Sequence, residues 1–218
     1  MSVSEIKLSE LRRQMVNHQL RSRQITDARV LEAFAETPRE KFIPENWQHD
    51  AYSDCPVPIG YGQTISQPYV VALMVQELAV SSGQRVLDVG AGSGYQTAIL
   101  SRLAGHVYAI ERVEALTERA TAVLAALNCH NVMLRTGDGS LGWPEEAPFD
   151  RIICGAASPD VPQPWIDQLA EAGRIVLPVG GADVQTLMVI DKRGNEIARR
   201  RLCDVRFVKL IGQAGWPG

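Results

Sequence analysis

The chain has 218 residues, 45% hydrophobic and 22% charged, which is enough apolar material for one globular unit with an extension and requires no staples. Its formal net charge of −3 offers no basic field, and there is no long single-sign run or low-complexity segment, so nucleic acid is not expected as a partner. No apolar stretch approaches a membrane span, the opening residues are too polar for a signal peptide, and Cys55, Cys129, Cys154 and Cys203 form no C-x-x-C pair; we expect a cytoplasmic protein with reduced thiols, no metal and no membrane partner.

Leu8, Leu11, Met15 and Leu20, set among polar residues, predict one amphipathic helix over about 8–22. Asp27 can cap a second, from Ala28 to about Glu36, with Val30, Leu31 and Phe34 on one face before Pro38. The runs Arg39–Trp47 and Cys55–Gly60 are expected to be irregular, because prolines at 44, 56 and 58 interrupt regular structure. This front section has too little apolar content to stand alone. Residues 1–60 are therefore expected to form a helical and irregular cap packed on a sheet built by residues 61–218, the whole being one structural unit. A helix starting at Pro68 carries Val70, Val71, Leu73, Met74 and Leu78 until Ser81-Ser-Gly83. Strand Arg85–Val89, helix Tyr95–Leu103, strand Val107–Glu111, helix 113–127 and strand Val132–Arg135 follow. Then come strand Arg151–Cys154, helix Pro162–Ala170 and strand Gly173–Pro178. Thr186–Asp191, a Lys192–Asn195 turn and Glu196–Leu202 read as an antiparallel hairpin. Alternating strands and helices closed by antiparallel strands predict an α/β fold, a doubly wound Rossmann-like sheet with a reversed edge, whose ligands bind at the carboxyl ends of the strands.

The most informative stretch is Arg85-Val-Leu-Asp-Val-Gly-Ala-Gly-Ser-Gly-Tyr95, a buried strand stopping at three alternating glycines. Gly90, Gly92 and Gly94 let the backbone turn tightly and approach a ligand without a Cβ. The dinucleotide fingerprint is G-x-G-x-x-G. Here the pattern is G-x-G-x-G with Asp88 before it, which resembles motif I of class I S-adenosylmethionine-dependent methyltransferases. Glu111, ending the next strand, is placed to take both hydroxyls of a ribose, or alternatively to cap the helix that follows. Thr136-Gly-Asp-Gly-Ser140 can present Asp138 to an adenine amino group while Gly139 admits the ring, or be a plain turn. Gly155-Ala-Ala-Ser158 leaves space beside a cofactor.

Ile59-Gly-Tyr-Gly-Gln-Thr-Ile-Ser-Gln-Pro-Tyr69 is a glycine-bearing loop ending at a helix start, where free backbone N–H groups can hold a carboxylate. On spacing alone, Ser66 or Gln67 could equally be a helix cap. Gly62-Gln-Thr-Ile-Ser-Gln-Pro-Tyr69 followed by Val-Leu-Asp-Val-Gly-Ala-Gly-Ser-Gly-Tyr-Gln-Thr-Ala resembles the bacterial protein-L-isoaspartate O-methyltransferases. The likeness extends over nearly the whole chain. It takes in Met15–Arg21, Pro38–Pro44, Gly137-Asp-Gly139, Pro148–Ile153, Leu177–Gly180 and Val205–Val208. Two positions depart from it: many members have His where Tyr69 stands and Pro where Lys209 stands.

The resemblance implies methyl transfer from S-adenosyl-L-methionine to the free α-carboxylate of L-isoaspartyl residues in damaged proteins, with S-adenosyl-L-homocysteine as the other product. It places Ser66 at the active-site serine position. Ile59, Gln63, Thr64, Ile65, Val179 and Val208 are substrate-side positions, together with Ser66. The cofactor positions are Gln67, Tyr69, Asp88, Gly90, Gly92, Gly94, Tyr95, Gln96, Glu111, Arg112, Gly137, Asp138, Gly139 and Gly155. His18, His49, His106 and His130 are isolated and read as packed or surface residues, and Arg199-Arg-Arg201 as a solvated strand. A monomer acting on isoaspartyl proteins and peptides is expected. The competing readings are a class I methyltransferase with another substrate and a non-catalytic cofactor-binding relative. Against the first, Cys154-Gly-Ala-Ala stands where an amide-methylating Asn/Asp-Pro-Pro-Tyr tetrapeptide would be.

Overall fold

The computed structural model describes residues 5–194 and 196–218. Asn195, in the turn expected between the last two strands, and the polar residues at the start lie outside the described residues. Six α-helices and nine strands are formed among them. Five parallel strands make one side and the middle of a seven-stranded sheet: β3 (Arg85–Val89), β4 (His106–Glu111), β5 (Val132–Thr136), β6 (Phe149–Cys154) and β7 (Leu169–Gly180). Two antiparallel strands, β8 (Gln185–Arg193) and β9 (Glu196–Val205), extend it at one edge, in the order β5-β4-β3-β6-β7-β8-β9. Chain order reverses direction at β3, between its parallel neighbours β4 and β6. A crevice opens at such a switch point, outside the carboxyl ends of the strands.

Both faces of the sheet are covered, which is why its central strands read as apolar runs rather than alternating ones. Val86, Val107, Ile153, Val176 and Val189 face one cluster, with α3 (Pro68–Leu78), α4 (Tyr95–Ser101) and α5 (Glu114–Ala126). Leu87, Tyr108, Ile152, Ile175 and Ile190 face the other, with Trp165 of α6 (Gln163–Gln168). The first cluster continues without a break into the front section through Met15, Val16, Leu20, Val30, Phe34 and Phe42.

Three element readings need correction. The expected helix over 8–22 is α1 (Glu5–Gln14) only to its midpoint; Met15–Leu20 then widens into a π-helical turn that buries Met15, Val16 and Leu20 together, and Arg21–Arg23 tightens before Gln24 stops the run at φ +68°. The segment expected to be irregular after Cys55 contains β1 (Val57–Gly60), paired with β2 (Gln63–Ile65). Pro58 is tolerated there because a two-stranded hairpin is all edge, so a missing N–H goes unmissed. Helix α6 stops at Gln168, since Leu169 already pairs with Phe149 in the sheet. By contrast α2 (Ala28–Glu36) has the expected limits, with the Asp27 carboxylate accepting from the Arg29 amide at 2.9 Å.

Candidate active site

The glycine turn leaves β3 with φ of +74° at Gly90, +56° at Gly92 and +85° at Gly94, a backbone path that disfavours any side chain. The turn is pinned to the neighbouring strand: Gly90 and Ala91 amides donate to the Ile110 carbonyl at 2.8 and 3.1 Å. Opposite it, a Cβ on Gly155 would come within 2.9 Å of the Gly90 carbonyl, and one on Gly139 within 2.6 Å of Val89 Cγ1. The carboxyl ends of β3, β5 and β6 therefore form a cradle that added side chains would fill.

Glu111 ends β4 buried at the side of this cradle. Its Oε2 accepts from the Gly92 amide at 2.8 Å and its Oε1 from the Val113 amide at 2.9 Å. Val113 is the residue that caps α5, so Glu111 does cap the following helix and also holds the glycine loop. Each oxygen keeps lone-pair capacity for a further donor. The cleft beside it is lined by Gln63, Thr64, Gly90, Gly92, Ile110, Arg112, Gly139, Gly155 and Ala156, and is roofed by residues 208–211. Such a set, a carboxylate over a backbone cradle with apolar walls, suits a nucleoside with a cationic tail.

Asp88 is fully buried beneath the loop, not on the cleft wall. Its two oxygens accept from Gln96 Nε2 and Thr97 Oγ1, both at 2.7 Å, so it ties β3 to the first turn of α4. Burial pushes its carboxyl up to about 6 against those two hydrogen bonds. Cys154, at the end of β6, is buried as well; its thiol is pushed up to about 12 by burial and stays protonated at neutral pH.

The second segment approaches from the hairpin. Strand β2 delivers Thr64, Ile65 and Ser66 to the start of α3, whose first amides have no carbonyl within the helix. Ser66 borders a cavity of about 480 Å3 whose other walls include Pro56, Thr64, Gln67, Val70, Val184 and the 204–208 run. Thr64, Gly155 and Val208 line this cavity and the cleft beside Glu111 alike, so the two spaces adjoin at them. Among the described residues, no acid or histidine is hydrogen-bonded to the Ser66 hydroxyl.

The structure thus gathers Gln63, Thr64, Ile65, Ser66, Gln67, Gly90, Gly92, Tyr95, Gln96, Glu111, Arg112, Gly139, Gly155 and Val208 around connected spaces. Other expected positions support these walls from behind. Ile59 is buried and lies 3.4 Å from where a Gly92 Cβ would stand; Tyr69 lies under the Arg23 guanidinium, 3.6 Å from ring to cation. Gly94 opens α4, the Gly137 amide donates to the Glu111 carbonyl at 2.9 Å, and Val179 bridges to Ser158. Asp138 accepts from Ser140 through Oδ1 and from the Gln213 amide through Oδ2 at 2.7 Å. Burial raises its carboxyl, and these hydrogen bonds more than offset that, leaving it below the ordinary value.

Pro56, Val70, Val184 and Asp204 also line the large cavity, and sequence reasoning missed them. Only tertiary packing brings them there, so no local pattern in the sequence marks them.

Comparison with known proteins shows the family. The profile described as protein-L-isoaspartate(D-aspartate) O-methyltransferase matches residues 10–215. A protein-L-isoaspartate O-methyltransferase of Methanoregula boonei is 51% identical over 208 residues, covering 95% of this chain and 96% of the relative. One from Roseiflexus sp. is 53% identical over 194 residues, covering 89% of each. Among solved structures, a protein-L-isoaspartate O-methyltransferase superimposes with a TM-score of 0.86 at 29% identity, over 94% of this chain and 67% of that one. A Plasmodium falciparum protein assigned to the same activity, in complex with S-adenosyl-L-homocysteine, gives 0.80 at 30% identity, over 92% and 98%.

Proposed function

The chain belongs to the protein-L-isoaspartate(D-aspartate) O-methyltransferase family, and from that premise we propose how its residues divide the reaction. It methylates the α-carboxylate of L-isoaspartyl residues in damaged proteins, the step that initiates their repair. S-adenosyl-L-methionine supplies, when bound, a methyl group made electrophilic by its sulfonium. Glu111 holds the ribose hydroxyls with the lone pairs its two amide bonds leave free, Gly90, Gly92 and Gly155 leave room for the chain, and Gly139 lets the adenine approach Asp138. The observation that carries the reading is the junction at Thr64, Gly155 and Val208, where the cavity beside Ser66 adjoins the cleft beside Glu111.

An α-carboxyl group has a reference pKa of about 3.3–3.7 and is ionised at neutral pH, so its attack needs no general base. The absence of a base beside Ser66 agrees with that requirement. Ser66 acts as a donor that steers the carboxylate, and the free amides at the start of α3 share its charge. Alignment of two reactants in one site can supply several kcal/mol of the barrier. Residues 1–60 act as a cap on the methyltransferase domain of residues 61–218, supported by the core cluster they share. The charged face of edge strand β9, with Arg199, Arg200 and Arg201 exposed, supports a monomer, because such an edge resists strand pairing. Its thiols, free among the described residues, support a cytoplasmic location.

The test is methyl transfer from radiolabelled S-adenosylmethionine to two synthetic peptides that differ only in an Asp or isoAsp linkage. Base-labile label on the isoAsp peptide alone is the expected result. Transfer to neither, with cofactor bound, would overturn the substrate assignment.

A further inference from the structure

Arg39 is the largest charged side chain fully buried in the protein, at 0% exposure. Its Nε donates to the Ala51 carbonyl and its Nη2 to the Ser66 carbonyl, both at 2.8 Å. The guanidinium carbon lies 4.9 Å from the centre of the Tyr95 ring, whose side chain interacts with it, and Nη1 makes no well-aligned hydrogen bond among the described residues. Among the described residues no carboxylate forms an ion pair with it. The acid beside it in sequence, Glu40, is turned away to Tyr52 and to Arg12, 3.9 Å off. A buried cation without a counter-ion is costly, and a guanidinium cannot relieve the cost by losing its proton.

Resting on the reading above, we propose that Arg39 is the positioning residue of the carboxylate site. Through the Ser66 carbonyl it fixes the Ser66–Gln67 peptide and lends its charge to the anion that docks there. The bond to that carbonyl is charge-assisted, so it is stronger than a neutral one and polarises the peptide whose N–H belongs to Gln67. Pro68 starts α3 immediately afterwards and contributes no amide, so Gln67, Tyr69 and Val70 carry the free N–H groups of the helix start. Gln67 and Val70 line the same cavity as Ser66. The isoaspartyl carboxylate would be the counter-ion that the buried cation otherwise lacks.

Arg39→Met and Arg39→Lys should be compared with the parent on two peptides, one bearing the isoaspartyl α-carboxylate and the other its α-carboxamide, the second measured as a competitive inhibitor. In Arg39→Met, KM for the carboxylate peptide should rise about tenfold or more, the scale of a hydrogen bond to a charged group. The carboxamide's inhibition constant should move less than about threefold. Equal weakening of both peptides, or of neither, would overturn the proposal, since a merely structural residue has no preference for charge. Arg39→Lys keeps the cation without the fork: turnover should fall while the preference for carboxylate survives, and its loss there would also overturn the proposal, even if the methionine variant fails to fold. A parent enzyme that ignores the isoaspartyl peptide would instead sink the underlying substrate assignment.

Discussion

Single residues carry separable tasks in this cleft, and Ser66 and Glu111 divide most clearly. Ser66 lines the large cavity, its hydroxyl without a hydrogen-bond partner among the described residues, whereas both Glu111 oxygens are engaged by the Gly92 and Val113 amides. Ser66→Ala should lower kcat about tenfold, leaving the dissociation constant of S-adenosylhomocysteine within twofold or so, because one steering hydrogen bond is lost. Glu111→Ala should weaken that dissociation constant about tenfold or more, since it removes the acceptor proposed for the ribose and frees Gly92. Isothermal titration beside steady-state kinetics reads both, and equal losses of cofactor affinity would refute this division. The place of Glu111 at the end of the second strand, beside the glycine turn, was legible in the sequence; its bond to the Gly92 amide was not, because that partner lies 19 residues away. The task of Arg39 is not legible in the sequence, because the carbonyls it binds are 12 and 27 residues away and leave no local pattern. Asp88 stood in the right motif, but the sequence could not tell a cofactor contact from a tie to Gln96 and Thr97 one turn on.

At the scale of elements, the parallel strands and their helices were readable because each is a continuous apolar run or a capped amphipathic stretch. The β1–β2 hairpin was not, since its strands are short and contain a proline, and its pairing depends on Gly60 and Gly62 at φ +95° and +69°. The C-terminal segment was equally hidden. It has no periodicity and is held by single bonds: the Leu210 amide to the Ala157 carbonyl at 2.8 Å, the Gln213 amide to Asp138, and the Ala214 amide to the Ser140 hydroxyl. Lys209, with its Nζ 5.1 Å from the centre of the Trp216 ring, roofs the cleft. Asp138→Ala removes the acceptor of the Gln213 amide and the partner of Ser140 together. Hydrogen exchange at residues 210–216 should accelerate at least about tenfold, and cofactor affinity should fall with it, because the roof loses bonds worth about 1 kcal/mol or more each. Unchanged exchange in a variant that binds cofactor weakly would mean that Asp138 acts on the ligand alone.

For the whole molecule, the question is whether the front section is a separable part or a wall of the same core. Its composition argued for dependence, and the packing gives that dependence a location. Phe34, at 0% exposure, meets the Tyr95 ring edge-on with centroids 5.9 Å apart, and Phe42 meets the same ring at 5.5 Å. Tyr95 is the first residue of the helix that follows the glycine loop, so the cap is fastened to the element that positions the cofactor cradle. Phe34→Ala should therefore cost about 3–5 kcal/mol, as for other buried aromatic truncations, and should weaken cofactor binding although Phe34 borders neither cavity. Denaturant unfolding of the parent, followed by tryptophan fluorescence and far-ultraviolet circular dichroism, should give one coincident transition. Trp47 reports on the cap, while Trp165 reports on the opposite face of the sheet. If fluorescence changed before the dichroism, the cap would be a marginally docked element. Cofactor would then be expected to raise the first transition selectively, because the state it binds is the one in which Tyr95 is held.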